Sequence, residues 1–296
     1  MKEGFLMTLQ QFEVFVKVVE TGSFTKAGEL LALTQSAISH IISALEIELG
    51  FTLLYRNRTG VSITNEGQKI FQHALDILNK AELLKQEAAA ILGIESGTLK
   101  IGCFPSISAK ILPDIILSYQ KKFPKIDLQI FEGSYSEIES WVSTGVIDLG
   151  FSAISPESLD FIPLFQDDMV VIVSEDHPFS LNEEISINEM ESQSFIMPKS
   201  GCDIQLKQLF KENKVSPNVK FELEDNNTIL AMVSRGLGIS IMPEILLDFK
   251  SLPLNTIKLL PRISRTVGIL LKSYKTASPA SLSFIKETKS CLERLV

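Results

Sequence analysis

The chain is poor in the residues that a disulfide scaffold, a hydrolytic centre or a membrane span would need. Its 296 residues hold three cysteines and three histidines. An odd number of cysteines in so long a chain fits a reducing compartment, and a cytoplasmic location is expected. No uninterrupted apolar run approaches the ~18 residues of a membrane helix. The start of the chain reaches a polar helical pattern by Gln10 without an apolar export core, so no membrane partner is expected. His40, His73 and His177 are scattered. There is no HExxH, GxSxG or phosphate-loop motif and no metal-ligand spacing among His and Cys. The chain is therefore read as a non-enzyme, with no catalytic residue, metal or cofactor. Bases are outnumbered, 28 against 36 acids for a net charge of −8, which excludes a non-specific nucleic-acid coat but not one small binding site. Internal repeats and low-complexity tracts are also missing.

What is present is ordinary globular text, 45% hydrophobic and 22% charged, long enough for about two domains. Gln10–Glu20 places Phe12, Phe15, Val16 and Val19 on one helical face, and Thr21-Gly22 stops it. Ser23 reads as the cap of a short second helix through Leu31, with Lys26 where a capping box would have Glu. Thr34 then caps a third helix that Gly50 ends. Two short helices around a tight turn make a helix-turn-helix, whose second helix can enter a DNA major groove. On that helix Ala37, Ile38, Ile41, Ala44 and Leu45 can face a core. Thr34, Gln35, Ser36, Ser39, His40 and Ser43 form the polar side, and glutamine can pair with adenine in two places. The same polarity would also suit a plainly solvated face. Residues 51–64 read as two short strands around Asn57–Gly60, a wing carrying Arg56 and Arg58, both candidates for phosphate or minor-groove contact. Arg56 can alternatively buttress the third helix. Between Thr8 and Glu66 four bases face six acids, so one module should bind DNA weakly and pairing becomes a requirement.

Pairing has an evident means. Ile70, Ala74, Ile77, Ala81, Leu84, Ala88 and Ile91 alternate spacings of four and three along a helix expected over 68–94, the seam of a helix that pairs with another. The same pattern also serves a helix packed on its own domain, and a second row, Phe71, Leu75 and Leu78, suits that role.

These stretches together resemble the LysR-type transcriptional regulators. The matching text is Phe12-Glu-Val-Phe, Glu20-Thr-Gly-Ser-Phe-Thr-Lys-Ala27, Leu33-Thr-Gln-Ser-Ala-Ile-Ser-His40, Leu45-Glu-Ile-Glu-Leu-Gly50, Leu53-Leu-Tyr-Arg56 and Thr64-Asn-Glu-Gly67. Gly28, Ser36 and Ile41 depart from the family's usual Ala, Pro and Gln. The family begins near Met7, which makes the first six residues an extension or an upstream start.

From Gly97 the chain alternates β-rich runs with helical patterns, which reads as α/β. Strands are expected at 99–103, 126–132, 149–153, 169–174, 194–197, 219–223 and 239–243. Helices are expected at 109–123, 134–143, 202–213 and 227–235. In such sheets ligands sit at strand ends near helix N-termini. Ser106 and Ser108, Ser134 and Ser136, and Ser152 fall there, though each can equally be a cap. Gly145-Val-Ile-Asp-Leu-Gly150 and Val233-Ser-Arg-Gly-Leu-Gly-Ile-Ser-Ile-Met-Pro243 match the family's effector-binding region.

The resemblance implies a multidomain α and α/β protein. A winged helix-turn-helix occupies 8–67, a linker and dimerisation helix 68–94, and a two-subdomain α/β effector domain of periplasmic-binding-protein type 95–296. Its first subdomain takes 97–167 and 266–296, its second 168–265. By carry-over, Ser106, Ser134, Ser200 and Gly201 line the effector cleft with Cys202 beside it, and Ser108 and Ser152 join the candidates. Lys199, the one clear cation nearby, points to an anionic or carboxylate effector. The implied partners are double-stranded DNA carrying an interrupted inverted repeat, a small-molecule effector, a second copy or a tetramer of this chain, and RNA polymerase. Two other readings compete: a redox-responsive regulator acting through Cys202 with Cys103, and a solute-binding protein without a regulatory role.

Overall fold

The computed structural model describes residues 7–57, 60–93, 95–199, 201–247 and 252–295. Arg58 and Ser200 lie outside the described residues, as do the side chains of Arg56 and Cys202. Two compact units result, one ending at Gly97 and including residues 144–146, the other formed by the rest.

The first unit is ordered by its caps. Helix α1 (Leu9–Thr21) starts at Thr8, which exchanges bonds with Gln11 in a complete capping box. Helix α2 (Phe24–Leu31) starts at Ser23, whose hydroxyl accepts the Lys26 N–H. Helix α3 (Gln35–Leu49) follows a turn at Ala32, starts at Thr34 and ends at Gly50 in the left-handed region. The axes of α2 and α3 differ by 105°, the helix-turn-helix range. A Cβ on Gly28 would stand 2.6 Å from the Leu33 carbonyl, so the glycine that departs from the family text also admits a tight turn. Strands β1 (Leu54–Asn57) and β2 (Gly60–Ile63) pair antiparallel from Leu54↔Ile63 to Asn57↔Gly60. Glu46 ties them to α3, accepting the Leu53 and Leu54 N–H groups at 2.7 and 3.2 Å.

Helix α4 (Asn65–Ile91) begins three residues before the expected 68 and takes Gly67 inside its first turn, because Thr64 supplies the cap at 2.8 Å. It joins the core of Phe12, Phe15, Ile38, Ile42, Leu45, Leu53 and Leu75. Of the expected inward residues on α3, Ile38 and Leu45 are buried and Ala37, Ile41 and Ala44 are partly buried. Ile42, not anticipated, is fully buried.

The second unit has two lobes. The first contains β3 (Gly97–Cys103), α5 (Pro105–Lys110), α6 (Leu112–Lys122), β4 (Ile126–Glu132), α7 (Tyr135–Thr144) and β5 (Leu149–Ser152). The helix expected over 109–123 is two helices, since Pro113 has no N–H with which to continue one ladder through Ile111. Strand β6 (Asp160–Ser174) is much longer than expected and carries the chain into the second lobe. That lobe holds β7 (Glu184–Ser186), β8 (Ser194–Pro198), α8 (Cys202–Glu212), β9 (Asn218–Leu223), α9 (Asn226–Ser234), β10 (Ser240–Pro243) and β11 (Leu254–Leu260). The return runs through β12 (Ser264–Leu271) to α10 (Pro279–Leu295) in the first lobe.

The main sheet runs β4-β3-β5-β12-β6-β11-β7, with β10 also on β6, while β8 and β9 form a separate parallel pair. Strand β6 pairs with β12 through Asp168 and with β10 and β11 from Met169 onward. The lobe boundaries placed at 167/168 and 265/266 thus fall inside two continuous strands that cross side by side. Each lobe has its own core: Ile101, Tyr119, Phe151, Ile269 and Phe284 in the first, and Val171, Phe195, Leu206, Ile241 and Ile257 in the second.

Candidate functional site

The first candidate surface is α3. With Ile38, Ile42 and Leu45 at zero exposure, helical periodicity turns Thr34, Gln35, Ser36 and His40 outward, and all four are exposed. Ser39 and Ser43 lie half-buried on the flank. Thr34 Oγ1 is engaged as the cap, accepting the Ala37 N–H at 3.1 Å and meeting Ser36 Oγ at 3.0 Å. The exposed helix surface is short-chained and amide-bearing, able to approach an edge closely.

On α4 the apolar stripe divides. Ala74 is buried and Ile70 partly buried against the unit's own core, with Phe71, Leu75 and Leu78 beside them. Toward the C-terminus Ile77 is 41%, Leu84 70% and Ile91 85% exposed. The seam anticipated over seven positions is therefore free of its own domain mainly in its later half.

In the second unit the candidate serines have separate tasks. Ser134 opens α7, its hydroxyl accepting the Glu137 N–H at 3.4 Å; its backbone N–H first, at 2.9 Å, and its hydroxyl second, at 2.7 Å, donate to the Glu137 carboxylate and hold that carboxyl below its usual range. Ser136 lies 3.2 Å from Ser134 Oγ. Ser152, buried, closes a turn on Ile154. Ser108 donates to the Pro105 carbonyl and to Glu132. Ser106 is buried and accepts from Arg265 Nη2 at 3.0 Å. Gly201, φ +99°, lies so close to the Tyr135 ring that a Cβ would come within 2.7 Å of it.

Arg265, Asp167 and Tyr135 were not singled out from the sequence. Arg265 is 2% exposed. Its Nε and Nη2 donate to Asp167 Oδ2 at 2.9 and 2.6 Å, and Nη1 donates to the Tyr135 hydroxyl at 2.6 Å. The guanidinium also stacks over Phe104, 5.0 Å from the ring centroid. These partners are 98 and 130 residues away in sequence, so no local pattern announces them.

A cavity of about 810 Å³ opens between the lobes. Pro105, Ser108, Lys110 and Glu132 line it from the first lobe, and Glu224, Asp225, Asn227, Leu230 and Leu246 from the second. Acids outnumber bases in this lining. Asp225 caps α9 through the Thr228 hydroxyl and N–H, bonds that hold its carboxyl below the usual range. Lys199, the basis for expecting a carboxylate effector, is exposed and ion-paired to Glu222 at 2.7 Å. Its charge is thus already matched within the second lobe and does not mark a carboxylate site.

Cys103 is buried among the strands with its thiol directed at the Phe131 carbonyl. Burial first, and the Glu132 charge second, push its pKa up to about 12. Among the described residues no cluster of three or more His, Cys, Asp or Glu is arranged to hold a metal, and no single helix is long and apolar enough to cross a membrane.

Comparison with known proteins agrees with this architecture. The family described as "Bacterial regulatory helix-turn-helix protein, lysR family" matches residues 9–68, and "LysR substrate binding domain" matches 93–291. The uncharacterized HTH-type transcriptional regulator YvbU of Bacillus subtilis is 35% identical over 286 residues, covering 96% of this chain and 98% of the relative. A full-length OxyR variant from Pseudomonas aeruginosa shares the fold at TM-score 0.75 and 23% identity, over 97% of this chain and 95% of that one. Full-length CbnR in complex with its target DNA does so at TM-score 0.66 and 21% identity, over 96% and 100%.

Proposed function

Because this chain belongs to the LysR family of DNA-binding transcriptional regulators and carries that family's effector-binding domain, we propose a division of labour among its parts. Helix α3 reads base edges through Gln35, Ser36, Ser39, His40 and Ser43, with Thr34 fixing the helix start and Arg56 and Arg58 of the wing gripping the backbone. The observation that carries this reading is the burial of Ile38, Ile42 and Leu45, which commits the opposite, polar side of α3 to solvent. Because the module holds more acids than bases, two copies joined through the exposed part of α4 read an interrupted inverted repeat. Dimers associate further into tetramers.

A small effector binds between the lobes, near Ser106, Ser108, Ser134, Ser152, Ser200, Gly201 and Cys202. It changes the placement of the DNA modules through its different affinity for two arrangements, and so alters RNA polymerase recruitment. The cavity that shares Ser108 with this set is acidic and amide-bearing, which favours a ligand with hydrogen-bond donors facing that side. A redox pair between Cys103 and Cys202 is disfavoured, because the Cys103 thiol is buried among the strands and held protonated. A solute-binding role alone leaves the helix-turn-helix unused.

The test is selection of duplex DNA from a random pool by the full-length protein, followed by gel-shift titration. An inverted repeat with a spacer should be enriched. Gln35→Ala should lose about 1–3 kcal/mol at one base position and leave the others unchanged. Enrichment of no sequence, or identical base preferences in Gln35→Ala and His40→Ala, would refute the α3 assignment.

A further inference from the structure

Where β6 and β12 cross between the lobes, Asp167 and Arg265 are direct register partners, and Arg265 is the only buried base among the described residues. A guanidinium withdrawn from water is tolerated only when paired and hydrogen-bonded. Its partners here belong to different parts of the domain. Ser106 and Tyr135 stand in the first turns of α5 and α7 in the first lobe. Asp167 uses Oδ2 for the arginine and Oδ1 to accept the Ile245 N–H, 3.1 Å away in the second lobe. The Tyr135 ring, set edge-on to Phe104 at 4.8 Å, also receives Gly201 from the second lobe.

We infer that Arg265 is an interlobe latch. Its donors hold the first lobe's helix starts at Ser106 and Tyr135, and through Asp167 the same group holds the second lobe at Ile245. The lobes can therefore change their separation only by breaking charge-assisted bonds in a buried site, which makes the resting arrangement a discrete state. Ser106 and Gly201, both assigned above to the effector site, touch the latch or the ring it holds. A ligand that recruits the Ser106 hydroxyl or displaces Gly201 thus acts on the crossing strands directly. This regulatory meaning rests on the cleft reading proposed above; the latch itself does not, and is tested without any effector.

The experiment is amide hydrogen exchange on the full-length protein with Tyr135→Phe, which keeps the ring against Gly201 and Phe104 and removes one acceptor from Arg265. The Ile245 amide, in the other lobe, should exchange about tenfold faster, the loss expected for one hydrogen bond to a charged group. Amides of the β5–β12 ladder at Phe151 and Ile269 should be unchanged. Ser106→Ala should accelerate Ile245 in the same way, which keeps the test open if Tyr135→Phe folds poorly. Exchange that rises equally in both lobes' cores, or an Ile245 amide unmoved in both variants, would overturn the latch. Neither result would touch the assignment of the cleft to an effector.

Discussion

The α-carbon of Gly67 lies against the backbone carbonyl of Leu53: a Cβ there would stand 2.3 Å from that oxygen and 2.9 Å from Ile63 Cγ1. This approach seats the start of α4 on the wing. Gly67→Ala would gain about 1 kcal/mol of helix propensity, but no rotamer change moves a backbone oxygen, and overpacking of this kind costs about 1–3 kcal/mol. The clash wins. The variant's first thermal transition by circular dichroism should fall, and an unchanged or raised transition would mean that the wing yields freely.

The exposed end of α4 gives a cleaner separation of folding from assembly. Leu84 and Ile91 are mostly solvent-facing in the single chain, so replacing both with lysine should leave each unit folded. In sedimentation velocity the double variant should run as a monomer at concentrations where the parent is a dimer. Its affinity for the selected inverted repeat should fall by about a hundredfold or more as the second half-site's effective concentration is lost. A double variant that still dimerises would move the seam elsewhere.

With its pKa at about 12, the Cys103 thiol is about one part in ten thousand thiolate at pH 8. Iodoacetamide or peroxide should leave it unmodified in the folded protein by mass spectrometry. Because the folded pKa is raised from 9.0, the thiol's contribution to stability is complete below about pH 9 and is lost as pH climbs toward 12. A Cys103–Cys202 disulfide formed under native conditions would restore the redox reading.

Glu287, buried on α10, accepts from Lys122 Nζ and the Ser118 hydroxyl, each at 2.5 Å, and lies 3.5 Å from Arg294. The Lys122 bond first, then Ser118, holds its carboxyl below the usual range. For a lowered pKa the stabilisation is whole above about pH 4.5 and is lost as pH falls below it. Glu287→Gln should therefore destabilise the second unit at neutral pH, by about 1–2 kcal/mol. It should also make the melting temperature less sensitive to acid between about pH 5 and 3. Parallel acid-melting curves for variant and parent would remove Glu287 from this role.

Much of the first unit was legible residue by residue. Ser23 and Thr34, both expected as caps, bond to N–H groups three positions on, and the stripe on α4 repeats within a turn, whereas Thr8 and Thr64 cap α1 and α4 without standing out in the sequence. Spacing alone does not single out Ile42, because its neighbours Ile41 and Ala44 fit an inward face equally well. In the second unit the serines at strand ends stood out, yet nothing in their flanking residues separated a cap such as Ser134 from Ser106, which meets an arginine 159 positions later.

The sequence by itself determined where α2 and α3 start, which helix turns a polar side outward, and that acids outnumber bases between Thr8 and Glu66. Those signals act across a few residues, through bonds and periodicities that the chain carries before it folds. Tertiary structure alone decided that Arg265, and not Lys199, is the cation at the lobe crossing, and that the polar lining of the cavity between the lobes is mainly acids and amides. Burial of a charge is set by which distant strands become neighbours, and the pairing of β6 with β12 brings Asp167 and Arg265 together across 98 residues of chain.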